Sequence, residues 1–347
     1  MNNILFAAAG SGGHLFPALA VAQELESKFQ IHFLVTGRDF EDQIPKSYLT
    51  HYVKKTALRH QGIWGFFKFF FEFPMMFLKL RNILKHNQIQ FVLGLGGYTS
   101  GPALLVAKFC SIPTALVEPN ACIGLSNKLS APFVDYIFTN FLSHEVLQKY
   151  ASKTYNFGLP QFQSQESDIK FQDWDLVIMG GSQGARGINE KMEIILKSDY
   201  FKNKCILWQT GAQWLKDHHP LNVSQIIQIA FVKNIKAHLN KTKLVISRTG
   251  AGAISDIVDT LCPSILIPLH LLNDPHYIQN ARILVNANAA LLYQENESME
   301  KLENFIKNLL NSESDQKKMK ANLLKFRYKD IPSKKIAQFI EEKLNVS

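Results

Sequence analysis

Cysteine is scarce in this chain: four residues in 347, Cys110, Cys122, Cys205 and Cys262, with no pair spaced C-x-x-C. That usage excludes a disulfide framework and a structural zinc site, and predicts reduced core thiols. No uninterrupted apolar run reaches the roughly 18 residues needed to cross a bilayer. The opening Met1-Asn2-Asn3 places no basic residue before the apolar run 4–9, so a secretory signal peptide is not expected. No G-x-G-x-x-G fingerprint and no G-x-x-x-x-G-K-[ST] loop occurs, which weakens an NAD-linked reading and removes a P-loop one. Asp39 follows the second apolar run, but only after Thr36-Gly37-Arg38, not at the strand tip.

What is present suits two domains of ordinary size. The hydrophobic fraction is 46% with 25 Phe, ample for buried cores. The net charge of +9 is unevenly placed. Residues 51–86 carry seven Lys or Arg against Glu72, and residues 301–335 carry ten against four acids. Clustered positive charge attracts anionic lipid, phosphorylated ligands or nucleic acid. No nucleic-acid recognition motif accompanies it, so nucleic acid is not an expected partner.

Apolar runs alternate with segments of helical period, the pattern of an α/β fold with parallel sheets covered by helices. Strands are expected at 4–8, 31–36, 90–95, 114–117 and 136–139, and again at 175–179, 205–209, 225–229, 243–247 and 264–268. The polar stretch 161–170, after Phe157-Gly158-Leu159-Pro160, reads as a linker. Both halves open alike, with an apolar strand, a glycine-rich turn and an amphipathic helix. Two Rossmann-like domains follow: 1–158, 159–332, and a last helix, 333–347, returning to the first.

Four glycine turns follow apolar strands: 10–13, 94–97, 180–184 and 250–252. Glycine lets backbone approach an anion, and a following helix N-terminus offers unpaired N–H groups to phosphate. One such turn is weak evidence, because tight strand-to-helix connections need glycine anyway. Four, shared between both halves, favour a phosphate-bearing ligand beyond the carboxyl ends of the strands.

Ala9-Gly10-Ser11-Gly12-Gly13-His14 with Pro17-Ala18-Leu19-Ala20 matches the pattern GGTGGH…PALA. Gly94-Leu95-Gly96-Gly97-Tyr98-Thr99-Ser100-Gly101-Pro102 matches GxGGYxSGP. Asn120 with Gly124-Leu125-Ser126-Asn127-Lys128, Gly180-Gly181-Ser182-Gln183-Gly184-Ala185-Arg186 with Asn189, and Arg248-x-Gly250-Ala251 follow in order. With this ordered set the chain resembles the MurG-type N-acetylglucosaminyltransferases. The resemblance implies a B-type glycosyltransferase fold, two Rossmann-like domains facing across a cleft. It implies inverting transfer of N-acetylglucosamine from UDP-N-acetylglucosamine to undecaprenyl-linked lipid I, forming lipid II at the cytoplasmic face of the cell membrane. No cofactor or metal is implied. Other cell-wall synthesis proteins are implied partners. A diacylglycerol-type lipid glycosyltransferase and a precursor-binding relative without efficient turnover stay open as alternatives.

Carried over residue by residue, the pattern assigns Ser11, Gly12 and Gly13 to the loop nearest the reacting sugar. It assigns Asn120 to the donor sugar, Ser182 to the diphosphate, Val232 to uracil through its backbone and Asp256 to the ribose. Gln161, Arg248, Ala251, Gly252, Ala253, Ile254, Ser255 and His276 complete the substrate contacts. His14, near a helix start whose dipole disfavours imidazolium, is the expected base, with Glu118 the other candidate. Helix starts at Ser182 and Ala251 would stabilise the departing diphosphate. Departures are Val117 and Pro119 around Glu118, Gln161 for an Arg, Ala253 for a Thr, Asp256 for a Glu, and His276-Tyr277 for a Gln pair.

Residues 63–80 are aromatic-rich and interrupted by Lys68, Glu72 and Lys79. With the bases up to residue 86 they read as an interfacial anchor for an anionic membrane. A buried helical hairpin covering the sheet is the competing reading, and Pro74 is expected to kink or restart the helix.

Overall fold

A computed structural model describes residues 2–8, 12–37, 39–53, 62–141, 148–162, 169–170, 172–181, 183–221, 223, 225–269 and 276–345. Side chains at 39–40, 62–72 and 98 lie outside that description. The chain forms two compact units, Met1–Phe162 with Lys329–Ser347, and Gln163–Tyr328.

In the first unit seven parallel strands lie in the order β3-β2-β1-β4-β5-β6-β7. They are β1 (Asn2–Ala7), β2 (Phe29–Val35), β3 (Leu49–Tyr52), β4 (Ile89–Gly94), β5 (Thr114–Glu118), β6 (Tyr136–Thr139) and β7 (Thr154–Asn156). Alternation along β1 explains the two cores. Ile4 and Phe6 point into one apolar cluster, with Leu15, Phe29, Phe33 and Phe91. Leu5 and Ala7 point into the other, with Leu34, Leu80, Leu84 and Leu104. A strand covered on both faces reads as a continuous apolar run, which is how β1 and β4 appear in the sequence. Helices α1 (Gly12–Leu25), α2 (Gly62–His86), α3 (Gly97–Phe109) and α4 (Leu125–Ser130) belong to this part. Helix α2 runs through Pro74 as one element, so of the kink or restart expected there, the restart does not occur.

The second unit repeats the plan with six parallel strands in the order β10-β9-β8-β11-β12-β13. They are β8 (Trp174–Met179), β9 (Ile206–Gln209), β10 (Ile226–Ile229), β11 (Thr242–Ser247), β12 (Ser264–Leu266) and β13 (Leu291–Leu292). Its helices include α5 (Arg186–Ile195), α6 (Ala251–Thr260), α7 (His276–Val285) and α8 (Met299–Asn311). The core gathers Leu176 and Ile178 of β8, Trp208 of β9, Ile188 and Met192 of α5, and Leu302 and Ile306 of α8.

Helix α9 (Pro332–Lys343) belongs to the first unit. Ile336 and Ile340 enter the cluster around Ile4 and Phe6, and Phe339 lies among Tyr136, Phe138, Tyr155 and Phe157. Lys28 meets Glu341 at 3.2 Å on the rim. The first unit also keeps residues 159–162, which the sequence assigns to the second. Leu159 is buried and the Phe162 ring stacks on Phe16, 6.2 Å between centroids. All four cysteines are free, but only Cys262 is buried; burial pushes its thiol up to about 12. The other three are half-buried, not core thiols.

Candidate active site

Strand order reverses direction between β1 and β4 in the first unit and between β8 and β11 in the second. The four glycine turns follow these four strands. They therefore lie at the two topological switch points, the crevices where open parallel sheets bind ligands. The two crevices are built alike. Leu95 N donates to Ala7 O at 3.0 Å in one, and Arg248 N to Met179 O at 3.2 Å in the other.

In the first unit α1 begins at Gly12, so His14 sits in its first turn. The His14 ring lies against the backbone of Gly96, its Nε2 3.0 Å from where a β-carbon at 96 would stand. Gly96 caps α3 at φ 95°, a conformation that side chains rarely adopt. Desolvation lowers the His14 imidazole from 6.5 to about 4. It is therefore neutral at pH 7, with burial as the cause where the sequence had suggested the helix dipole. Ser11 lies outside the described residues.

Glu118, at the end of β5, is 1% exposed. Its Oε1 accepts from Asn120 N at 3.0 Å and Asn120 Nδ2 at 3.3 Å. Its Oε2 accepts from Gly124 N and Asn127 Nδ2, both at 2.9 Å. Both oxygens thus accept from the loop that carries Asn120, and Glu118 clamps that loop. Gln161 lies between Pro160 and Phe162 in the segment that the first unit keeps.

In the second unit β8 runs into residues 180–184. Ser182 lies outside the described residues. Helix α5 starts only at Arg186, with Ala185 as N-cap; the expected helix start at Ser182 is thus displaced by a turn. Across the switch point α6 begins at Ala251, directly after β11, as expected. Gly250 has φ −62°. Among the described residues, an added β-carbon at Gly250, Gly252 or Gly181 would meet nothing within 4 Å beyond its own chain neighbours and helix backbone. Ala253, Ser255 and Asp256 are partly exposed on α6, whereas Ile254 is fully buried. Its N–H donates to Gly250 O at 3.0 Å. Its side chain is thus packed in the core and its amide is bonded within the helix.

Arg248 holds neighbouring chain as well. Its guanidinium donates to Ile267 O and Pro268 O at 3.2 and 3.4 Å, and pairs with Glu295 at 2.6 Å. It holds the chain after β12, which leads to His276 at the start of α7. Thr249 Oγ1 donates to Tyr277 O at 2.6 Å, and the buried Asn280 donates to Thr249 O at 3.0 Å. Val232 N–H donates to Gln209 Oε1 at 2.9 Å, so a base contact through that amide would have to break this bond. The sequence carried no sign of the role of Gln209, which sits at a strand end and not in a glycine turn.

On α2, Leu80 and Leu84 are buried while Met75 and Leu78 are 75% and 56% exposed. The described half thus docks on the sheet by one face and leaves another uncovered. Phe66, Phe67 and Phe70 lie outside the described side chains. Phe109, 71% exposed, meets Phe77 edge-on at 5.7 Å. Among the described residues no helix is long and apolar enough to cross a membrane.

Comparison with known proteins agrees with this plan. Residues 4–139 match the glycosyltransferase family 28 N-terminal domain and residues 176–334 its C-terminal domain. A relative from Prochlorococcus marinus (strain MIT 9215) is 33% identical over 307 residues, 85% of this chain and 83% of its own. Another, from Myxococcus xanthus (strain DK1622), is 32% identical over 342 residues, 93% and 89% of the two chains. Both are named UDP-N-acetylglucosamine–N-acetylmuramyl-(pentapeptide) pyrophosphoryl-undecaprenol N-acetylglucosamine transferase. The crystal structure of Acinetobacter baumannii MurG covers 99% of this chain and 100% of its own, with a TM-score of 0.75 at 23% identity. The kitacinnamycin glycosyltransferase aligns over 99% of both chains, with a TM-score of 0.77 at 13% identity. These structures speak for the B-type glycosyltransferase fold. By the relatives it matches along most of its length, the chain belongs to glycosyltransferase family 28.

Proposed function

We propose that this chain transfers N-acetylglucosamine from UDP-N-acetylglucosamine to lipid I with inversion, forming lipid II and releasing UDP. The observation that carries the donor half is the open space at Gly250 and Gly252. Neither packing among the described residues nor, at φ −62°, the backbone of Gly250 requires glycine there. A ligand approaching the first turn of α6 does, and the amides of that turn attract phosphate. The acceptor half takes its support from the names of the relatives and from His14. A neutral imidazole removes the proton of the acceptor hydroxyl as that oxygen bonds to the anomeric carbon. The bond from that carbon to the UDP oxygen breaks, and the leaving diphosphate takes up the charge against the amides of the glycine turns.

The acceptor stays in the membrane, so the enzyme docks at its surface from the cytoplasmic side. Met75 and Leu78, close to Lys79, Arg81 and Lys85 on α2, have the composition of such a contact. Isothermal titration with UDP-N-acetylglucosamine tests the donor half. Radiolabel transfer to a soluble lipid I analogue, against diacylglycerol and with a His14→Ala control, tests the acceptor half. A folded chain that binds no UDP-N-acetylglucosamine would remove the reading altogether.

A further inference from the structure

Three neighbouring strand ends of the second unit bear on one side chain. Strand β9 lies between β8 and β10, and its last residue is Gln209, 4% exposed. Gln209 Nε2 donates to Gly181 O at 2.7 Å, in the glycine turn after β8. Its Oε1 accepts from Val232 N at 2.9 Å, in the segment after β10. One buried amide thereby joins two loops that no backbone ladder connects.

The surrounding backbone is packed to suit. Gly181 O also accepts from Gly184 N at 3.1 Å, closing the turn. A β-carbon at Gly184 would stand 2.1 Å from Thr210 O, and one at Gly211 would stand 2.4 Å from Gln183 O. The turn after β8 thus rests directly on the two residues after Gln209. Those residues are tied to the end of β10 by Thr210 N to Ile229 O at 2.9 Å and Gly211 N to Ala230 O at 3.1 Å.

We propose that Gln209 is a positioning residue of the donor site. Its amide sets the spacing between the turn that receives the diphosphate and the Val232 segment, which receives the base through groups other than the Val232 N–H that Gln209 holds. The proposal rests on the donor reading above. A nucleoside diphosphate must satisfy both loops at once, and a brace that holds their separation beforehand reduces the ordering needed on binding. A ligand that touches only one loop gains nothing from it. The spacing is therefore felt by UDP and not by uridine.

The test compares UDP with uridine by calorimetry on the full chain. In Gln209→Ala the affinity for UDP is expected to fall at least tenfold and that for uridine less than twofold. The KM for UDP-N-acetylglucosamine should rise with kcat little changed. A UDP affinity equal to that of the unaltered chain, or an equal loss for both ligands, overturns the proposal. If Gln209→Ala does not fold, the same ratio is read on Gln209→Glu, which still accepts from Val232 N but cannot donate to Gly181 O. An unchanged UDP-to-uridine ratio there overturns it too. If the unaltered chain binds no UDP, the donor reading fails first, and the two failures are told apart.

Discussion

The imidazole of His14 rests on the backbone of Gly96, so the candidate base and the cap of α3 share one small space. Gly96→Ala should push the ring aside and strain a residue at φ 95°. A displacement of about 1 Å at a reacting group costs on the order of 10²-fold in rate. The expected outcome is a kcat lower by about that factor, with UDP affinity within twofold. Steady-state rates on a lipid I analogue, beside titration with UDP, check it.

The depressed imidazole also sets a pH profile. With His14 lowered to about 4 by burial, the base stays neutral and competent throughout the range where an ordinary histidine charges. The acid limb of kcat/KM should lie well below 6.5, nearer 4 to 5. A limb at 6.5 that vanishes in His14→Ala would contradict the burial seen here.

Glu118 separates a clamp from a base. Glu118→Gln puts an amide nitrogen against donors that the carboxylate now accepts. Hydrogen bonds to charged groups contribute roughly 1.5–3 kcal/mol each, so a stability loss of about 2 kcal/mol or more is expected. The pH profile of the residual activity should keep its shape. Urea titration and a pH–rate series decide between the roles, because loss of the acid limb at unchanged stability would assign Glu118 as the base.

Gly250→Ala makes the opposite demand. The backbone there suits any residue, and the new methyl meets nothing within 4 Å among the described residues beyond its chain neighbours. Stability should change by less than about 1 kcal/mol, the scale of a glycine-to-alanine change at an N-cap. UDP affinity should fall at least fivefold as the methyl enters the ligand's space. Equal affinity with equal stability would leave the open space without a ligand.

The first unit carries its own response to acid. His32 Nδ1 and His51 Nε2 lie 2.9 Å apart on neighbouring strands, with the rings stacked. Burial, then the charge of His51, lowers His32 to about 4, and burial lowers His51. The folded chain therefore holds fewer protons than the unfolded chain between pH 6.5 and about 4. Stability is full above 6.5 and declines as pH falls through that window. Thermal melts should show the decline, and His32→Gln with His51→Gln should flatten it.

What could be read beforehand follows burial and local spacing. Strands β1, β4, β8 and β11 are apolar runs closed by glycine, so their positions and their turns were visible. Strand β3 was missed because Leu49 and Tyr52 are exposed at the sheet edge, which leaves no apolar run. Strands β7 and β13 have three and two residues, too short for any period to register. Among the site residues, His14 stood out by following its glycine turn. The partners of Glu118 at 120, 124 and 127, and of Arg248 at 267, 268 and 295, are defined only by folded loops. A motif therefore announced those two residues but not the loops they hold.

Helix α9 carries one more consequence. A ribosome making this chain releases β1 to β7 early, yet Phe339 and Ile340 arrive only after the whole second unit has been synthesised. Until then the rings of Tyr136, Phe138, Tyr155 and Phe157 lack their covering helix. The half that begins synthesis first thus cannot complete this cluster until the last helix has been made.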